Sequence, residues 1–118
     1  MILHLMPGPA WEVWRDGGGY DPPSLAAEGF VHCTGDDQLM LAVANRFYAS
    51  DPDELVVVTL DEARLTSEVR WEPPAHPDGR PSTGTEPFFP HVYGPLDRDA
   101  VLAVRRLVRS SDRFVGLP

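Results

Sequence analysis

The apolar positions of the chain fall into short segments that prolines and glycines interrupt. Residues 2–6, 30–33, 69–72 and 88–93 have the length and alternation of short strands. Residues 55–60 (LVVVTL) form a continuous, mostly β-branched apolar run. Such a run is typical of a strand buried on both faces, so we predict that it is the central strand.

The clearest helical pattern follows residue 34. Thr34 is a suitable N-cap, and the helix is predicted to run to about residue 50. Its buried face has the three-and-four spacing of a packed helix and consists of Met40, Val43, Ala44 and Phe47. Gln38 and Asn45 lie on the opposite face, and Tyr48 lies between the two faces.

Two shorter helical segments precede it, at residues 10–15 and 25–28, the second with Ser24 as N-cap and Gly29 as C-cap. Trp11 and Trp14 share a face of the first, and we interpret them as packing residues. Residues 101–108 fit either a helix or a strand. Residues 75–87 are rich in Pro, Gly, Ser and Thr and predict a mobile loop, a candidate lid over a site. The mixture predicts one α+β domain spanning residues 1–118, with about two helices.

The composition argues against several classes of partner and site. A formal net charge of −8 argues against nucleic acid as the partner, because phosphate backbones are bound by clustered Lys and Arg. The single cysteine, Cys33, excludes an internal disulfide and a Cys-rich zinc site. No apolar run approaches a membrane span, and the short apolar N-terminus meets Pro7 too early for a signal peptide. We therefore expect a cytoplasmic protein without a membrane partner, acting on a small-molecule ligand.

Two stretches concentrate the residues that could carry chemistry, and we predict that they meet in one site: residues 28–34 (EGFVHCT) and 89–96 (FPHVYGPL). His32 lies beside a hydroxyl at a strand-to-helix turn, where it can hydrogen-bond a ligand. His91 and Tyr93 share a strand face. Glu72 can orient a sugar hydroxyl or act as a general base.

Three other interpretations stay open. His32, His91 and Glu72 are the residue types of a two-histidine, one-carboxylate metal site, although no HxH or HExxH motif is present and we expect no metal. Cys33 with His91 is a candidate nucleophile pair, but Cys33 faces away from His32. The same cleft could also serve a non-catalytic module that binds a nucleotide or another small metabolite.

These stretches, together with Gln38, residues 44–48 (ANRFY) and Trp71-Glu72, resemble the signature of the domain of unknown function 952 family, over nearly the whole chain. The family comprises small, mostly stand-alone bacterial proteins. It has been grouped by fold with the ADP-ribosyltransferase superfamily. The resemblance therefore implies a split or curved β-sheet that grips NAD, with NAD as a candidate substrate and a transfer of ADP-ribose to an unidentified acceptor.

The resemblance also implies roles for single residues. The peptide His32-Cys33-Thr34 is similar to the superfamily's His-Gly-Thr, so His32 would bond NAD hydroxyls and Thr34 the ribose or carboxamide region. Tyr48 or Tyr93 would stack on nicotinamide, and Glu72 would stabilise an oxocarbenium-like transition state. His91 has no counterpart in the superfamily's triad and is a candidate to replace one of its members. The expected set is completed by two polar residues of the long helix, Gln38 and Asn45.

Overall fold

The strand predicted at residues 55–60 lies at the centre of the fold. In a computed structural model of the chain, which describes residues 1–74 and 87–118, β3 (Leu55–Leu60) is buried at every position. It pairs antiparallel with β1 (Ile2–Pro7) on one side and β6 (Val101–Arg106) on the other. Both faces of β3 are covered, which explains its continuous apolar sequence.

A second antiparallel sheet carries the two stretches of interest. Its order is β2 (Val31–His32), β5 (Phe89–Tyr93) and β4 (Glu68–Glu72). Two backbone hydrogen bonds between Leu3 and Thr34, of 2.7 and 2.8 Å, connect this sheet to β1. A separate hairpin of β7 (Val108–Ser110) and β8 (Arg113–Gly116) closes the chain.

Three helices are present in the described part of the chain: α1 (Gly8–Arg15), α2 (Pro23–Glu28) and α3 (Asp37–Phe47). Short 3-10 turns at Glu62–Arg64 and Arg98–Ala100 complete the α+β architecture. The sequence analysis predicted about two helices, one fewer than the structure has in its described part. None of these helices has the length and apolar character needed to cross a membrane.

Two predicted helix starts were wrong. The N-cap of α3 is Asp36, whose carboxylate accepts the backbone N–H of Leu39 at 2.8 Å, whereas the backbone of Thr34 is used in the bridge to Leu3. Helix α2 begins at Pro23 after Pro22, without a side-chain cap at Ser24. Its predicted end is confirmed, since Gly29 is left-handed at φ 86°. Helix α3 ends at Phe47, earlier than predicted.

The alternation of residues 69–72 predicts that Val69 and Trp71 face inward, and for Trp71 this prediction was wrong. Trp71 is 45% exposed, and its ring lies over Gly35, where an added Cβ would come within 3.2 Å of the ring. Residues 75–86 lie outside the described residues, and the predicted mobile loop falls on them except for Pro87.

The apolar core has two parts, one on each face of the sheet that contains β3. The first lies between this sheet and the second sheet, and it includes Val56, Val58, Val31 and Val92. The second lies under α3 and the C-terminal hairpin, with Val57, Met40, Ala44 and Phe114. The alternation along β3 sends successive side chains to opposite parts, so this one strand joins them.

Candidate functional site

The predicted meeting of the two stretches is confirmed by the pairing of β2 with β5. His32 lies directly opposite His91 in this antiparallel pair. The two imidazole rings are edge-to-face, with centroids 5.6 Å apart. Directly opposed side chains on one face of a sheet are held close by the backbone register, so the two histidines form one fixed pair.

Phe30 orders the rings around it. Its ring stacks on His91 at a centroid distance of 4.2 Å and an interplanar angle of 26°. It also contacts His32 at 4.9 Å and Tyr93 at 5.3 Å. Aromatic contacts of this kind restrict ring rotation, so His91 is held in one orientation.

Glu72 lies behind His91 on the neighbouring strand. Its Oε1 accepts a hydrogen bond from His91 Nδ1 at 2.8 Å and another from the Tyr93 hydroxyl at 2.6 Å. The bonds from Tyr93 and His91 lower the pKa of Glu72, because both stabilise the carboxylate. The same carboxylate raises the pKa of Tyr93. Glu72 is thus an ionised acceptor that connects two residues of β5.

His32 has its own carboxylate partner. Its Nε2 donates to Glu28 Oε2 at 2.7 Å, from the last residue of α2. Gly29 makes this contact possible, since its left-handed conformation ends α2 and turns the chain directly into β2. Each of the two facing histidines is therefore bonded to a glutamate from a different element.

A cavity of about 480 Å³ opens beside this cluster. Most of its wall is apolar and comes from β1, α3 and the prolines at residues 22, 23, 74 and 87. Four of the predicted site residues line it: His32, Thr34, Tyr48 and His91. Glu72 and Tyr93 do not line the cavity. Glu72 is connected to its wall by the hydrogen bond to His91, and Tyr93 is bonded to Glu72. A largely apolar cavity with a few converging polar groups is the usual form of a small-molecule site.

Thr34 lines this cavity and also carries an unsatisfied hydroxyl. Its side chain is buried, and its Oγ1 has no hydrogen-bond partner within residues 1–74 and 87–118. A buried hydroxyl without a partner is unfavourable by about 1–3 kcal/mol.

The sequence reasoning missed a second buried polar pair at the cavity, His4 and Tyr20. His4 Nδ1 donates to the backbone carbonyl of His32 at 2.8 Å, and the Tyr20 hydroxyl donates to His4 Nε2 at 2.5 Å. A carbonyl can only accept, so Nδ1 of His4 carries a proton, and in the neutral ring Nε2 accepts from the Tyr20 hydroxyl. Burial lowers the pKa of His4 to about 4 and raises the pKa of Tyr20. The available signal was a lone histidine within an otherwise apolar strand.

The structure does not bring Asn45 or Gln38 to the cavity. The Asn45 amide holds the C-terminal hairpin: its Nδ2 donates to the carbonyl of Phe114 at 2.9 Å, and its Oδ1 accepts the N–H of Phe114 at 2.7 Å. Gln38 is exposed in the first turn of α3. Asn45 therefore has a structural role, and neither side chain lines the cavity where a cofactor contact was expected.

We expect Asn45→Ala to lower the free energy of unfolding by about 2 kcal/mol, because it leaves two backbone groups of Phe114 without partners. Gln38→Ala is the matched control on the same helix and should change stability by less than about 0.5 kcal/mol. Urea unfolding followed by circular dichroism measures both. Equal effects of the two substitutions would contradict the structural role of Asn45.

Two of the alternative interpretations, a metal site and a Cys33 nucleophile, can be compared with this geometry. Within the described residues, no group of three or more His, Cys, Asp and Glu side chains is arranged to hold a metal ion. Cys33 is buried in the first core, and this burial raises the pKa of its thiol, which disfavours the nucleophilic thiolate.

Solved structures with a similar fold are known. The crystal structure of protein CC0527 from Caulobacter crescentus superposes with a TM-score of 0.69 at 22% sequence identity, covering 96% of this chain and 90% of that one. Its solution NMR structure gives a TM-score of 0.70 at 21% identity, with 96% and 89% covered. At this identity the likeness establishes the fold alone.

Comparison with protein families establishes the relationship of the sequence. No curated protein matches the chain. The sequence profile described as "Protein of unknown function (DUF952)" matches residues 5–104. This range includes β3 and the facing His32 and His91 with their partners Glu28 and Glu72. The chain therefore belongs to the DUF952 family, as its sequence motifs predict.

Proposed function

We propose that the chain binds NAD, or a nucleotide of similar build, in the cavity and acts as an ADP-ribosyltransferase-like enzyme. The observation that carries the proposal is the opposition of His32 and His91 at the cavity wall, with the ionised Glu72 bonded behind His91. This arrangement brings a histidine, a tyrosine and a glutamate, the residue types of that superfamily's triad, into one cluster beside the cavity, which supports the proposal.

The cavity offers a distinct role to each residue. His32 and Thr34, which both line the cavity, would hydrogen-bond the ribose or carboxamide. Tyr48 is the better candidate for stacking on nicotinamide, since it lines the cavity whereas the Tyr93 hydroxyl is bonded to Glu72. Arg46, also on the wall, is placed to bind a phosphate.

The proposed reaction begins when the bond between nicotinamide and ribose breaks. Its electron pair leaves with nicotinamide, and the ribose becomes an oxocarbenium-like cation that an acceptor attacks. The negative charge of Glu72 stabilises this cation through the field it sets up behind His91. Electrostatic stabilisation of this kind contributes about a hundredfold or more to a rate.

Titration with NAD tests the proposal, with the melting temperature and the release of free nicotinamide as readouts. We expect a saturable rise in melting temperature and release of nicotinamide. Glu72→Gln should keep NAD binding and reduce release about a hundredfold. Glu54→Gln is the matched control, because Glu54 is paired with Arg106 and does not line the cavity. Unchanged release in Glu72→Gln would contradict the role of Glu72.

One observation favours a non-catalytic binding module as the second candidate. Glu72 already accepts two hydrogen bonds from the protein and does not line the cavity. A module of this kind would be stabilised by NAD or another nucleotide without releasing nicotinamide, and Glu72→Gln would leave its affinity unchanged. No stabilisation at millimolar NAD would contradict NAD as the ligand in both candidates.

A further inference from the structure

His91 combines deep burial with a place on the cavity wall. Its side chain is 3% exposed, yet it lines the cavity. Its Nδ1 is bonded to the Glu72 carboxylate, which can only accept, so the proton of the neutral ring is on Nδ1. The Nε2 atom then carries the lone pair.

We propose that His91 presents Nε2 to the cavity and is a general base, which accepts a proton there from the molecule bound in it. Glu72 is its positioning residue: it fixes the tautomer and stabilises the imidazolium that forms. Phe30, stacked on the ring at 4.2 Å, holds its plane. A carboxylate bonded to one nitrogen of an imidazole is the arrangement by which many enzymes make the other nitrogen a base.

The inference goes beyond the proposed function, since it holds for any bound molecule with a removable proton. The cavity wall indicates the class of that molecule. It has an apolar part that packs against this wall and an acidic O–H, N–H or C–H within reach of His91. Failure of NAD to bind would therefore leave the assignment of His91 intact.

The charged groups around His91 agree with this role. They lie on every element packed against it: Glu72 and Arg70 on β4, Tyr93 on β5, His32 on β2 and Glu28 on α2. Burial and the neighbouring His32 lower the pKa of His91, and the two glutamates oppose this effect. The net direction is downward, so the ring is unprotonated at neutral pH and able to accept a proton.

Acylation by diethylpyrocarbonate tests whether Nε2 is accessible. The ring nitrogen attacks one carbonyl carbon, a nitrogen–carbon bond forms, and ethyl carbonate leaves. We expect peptide mass spectrometry to find His91 modified and His4 unmodified, because both His4 nitrogens are bonded within the protein. Modification of His32 with His91 unreacted would overturn the proposal.

Elimination of a nitrobenzisoxazole tests the basicity directly. His91 removes the ring C–H proton, that electron pair forms the nitrile as the nitrogen–oxygen bond breaks, and a coloured phenolate is released. We expect saturable elimination by the wild-type protein. His91→Asn keeps a donor for Glu72 but has no base, so the rate should fall about a hundredfold.

The pH profile separates a positioning role for Glu72 from a merely structural one. The wild-type rate should rise with pH, with a midpoint below 6.5, the ordinary pKa of histidine. Glu72→Gln removes the charge that favours the imidazolium, so the midpoint should move to lower pH and the plateau should fall about tenfold. The Glu54→Gln control should match the wild type.

Two results would overturn the assignment. One is elimination that is absent in the wild-type protein or persists in a folded His91→Asn variant, with folding checked by its melting curve. The other is a Glu72→Gln profile with an unchanged midpoint. Elimination by His91 in a protein that ignores NAD would instead reject the proposed function alone.

Discussion

Phe114→Ala should remove a large part of the stability of this domain. Phe114 is 1% exposed and lies in the second core, and the Arg109 guanidinium covers its ring at 4.3 Å. Truncating a buried phenylalanine to alanine destabilises by about 3–5 kcal/mol, the transfer energy plus the cavity left behind. Domains of this kind have a total of about 5–15 kcal/mol. Urea unfolding followed by tryptophan fluorescence measures the change.

The next residue provides the control. Val115 is on the opposite face of β8 and is 52% exposed, so Val115→Ala should change stability by less than about 0.5 kcal/mol. Similar losses from the two substitutions would show that the hairpin is not anchored by Phe114. The loss also bears on the site, because α3 contacts Phe114 on one side and lines the cavity with Val43 and Phe47 on another.

Acidification from pH 6.5 to 4.5 should destabilise the protein, with His4 as the main cause. The folded state holds His4 neutral, with a pKa of about 4 against 6.5 for the free side chain. Protonation would bury a charge and remove the acceptor of the Tyr20 hydroxyl. A pKa shift of this size lowers the free energy of unfolding by about 3 kcal/mol once the pH has fallen below both pKa values.

The sign follows from proton uptake. Below pH 6.5 the unfolded chain binds a proton at His4 and the folded chain does not, so stability is complete above 6.5 and falls toward 4. His91, whose pKa is also lowered, acts in the same direction. Asp37, Glu68 and Glu72 have lowered pKa values from ordinary values of 3.8 to 4.5, so their contribution is lost mainly at lower pH.

Unfolding free energies of the wild type and His4→Gln, measured with urea at several pH values, test this assignment. The variant should be less stable at neutral pH, because the hydrogen bonds of His4 are lost. Its slope between pH 6.5 and 4.5 should be clearly smaller than that of the wild type. Parallel curves would mean that other groups carry the acid sensitivity.

Local sequence patterns predicted the structure correctly where the composition of a single segment decides it. The apolar run at residues 55–60 specified a strand buried on both faces, and Gly29 specified the end of α2. The alternation of β5 put His91 and Tyr93 on one face, where both now meet Glu72. Family membership also followed from the sequence, because uncommon peptides recur there in a fixed order.

Other features were invisible to local reasoning, since distant partners decide them. Residues 101–108 were ambiguous until pairing with β3 selected a strand for Val101–Arg106. Asn45 has a polar helical position that predicts exposure, and the return of the hairpin gives it the backbone of Phe114 instead. Asp36 replaced Thr34 as N-cap because the backbone of Thr34 bonds to Leu3, which is distant in sequence.

The sequence by itself determined the central strand, the α+β class, the family and the two stretches that form the candidate site. Each depends on composition and periodicity within a few residues. Only the tertiary structure decided the pairing of His32 with His91, the position of Glu72 behind His91, and the buried His4–Tyr20 pair. Which strands pair, and which buried polar groups bond to each other, are decided by contacts between distant segments, and the pattern of one segment does not specify its partner.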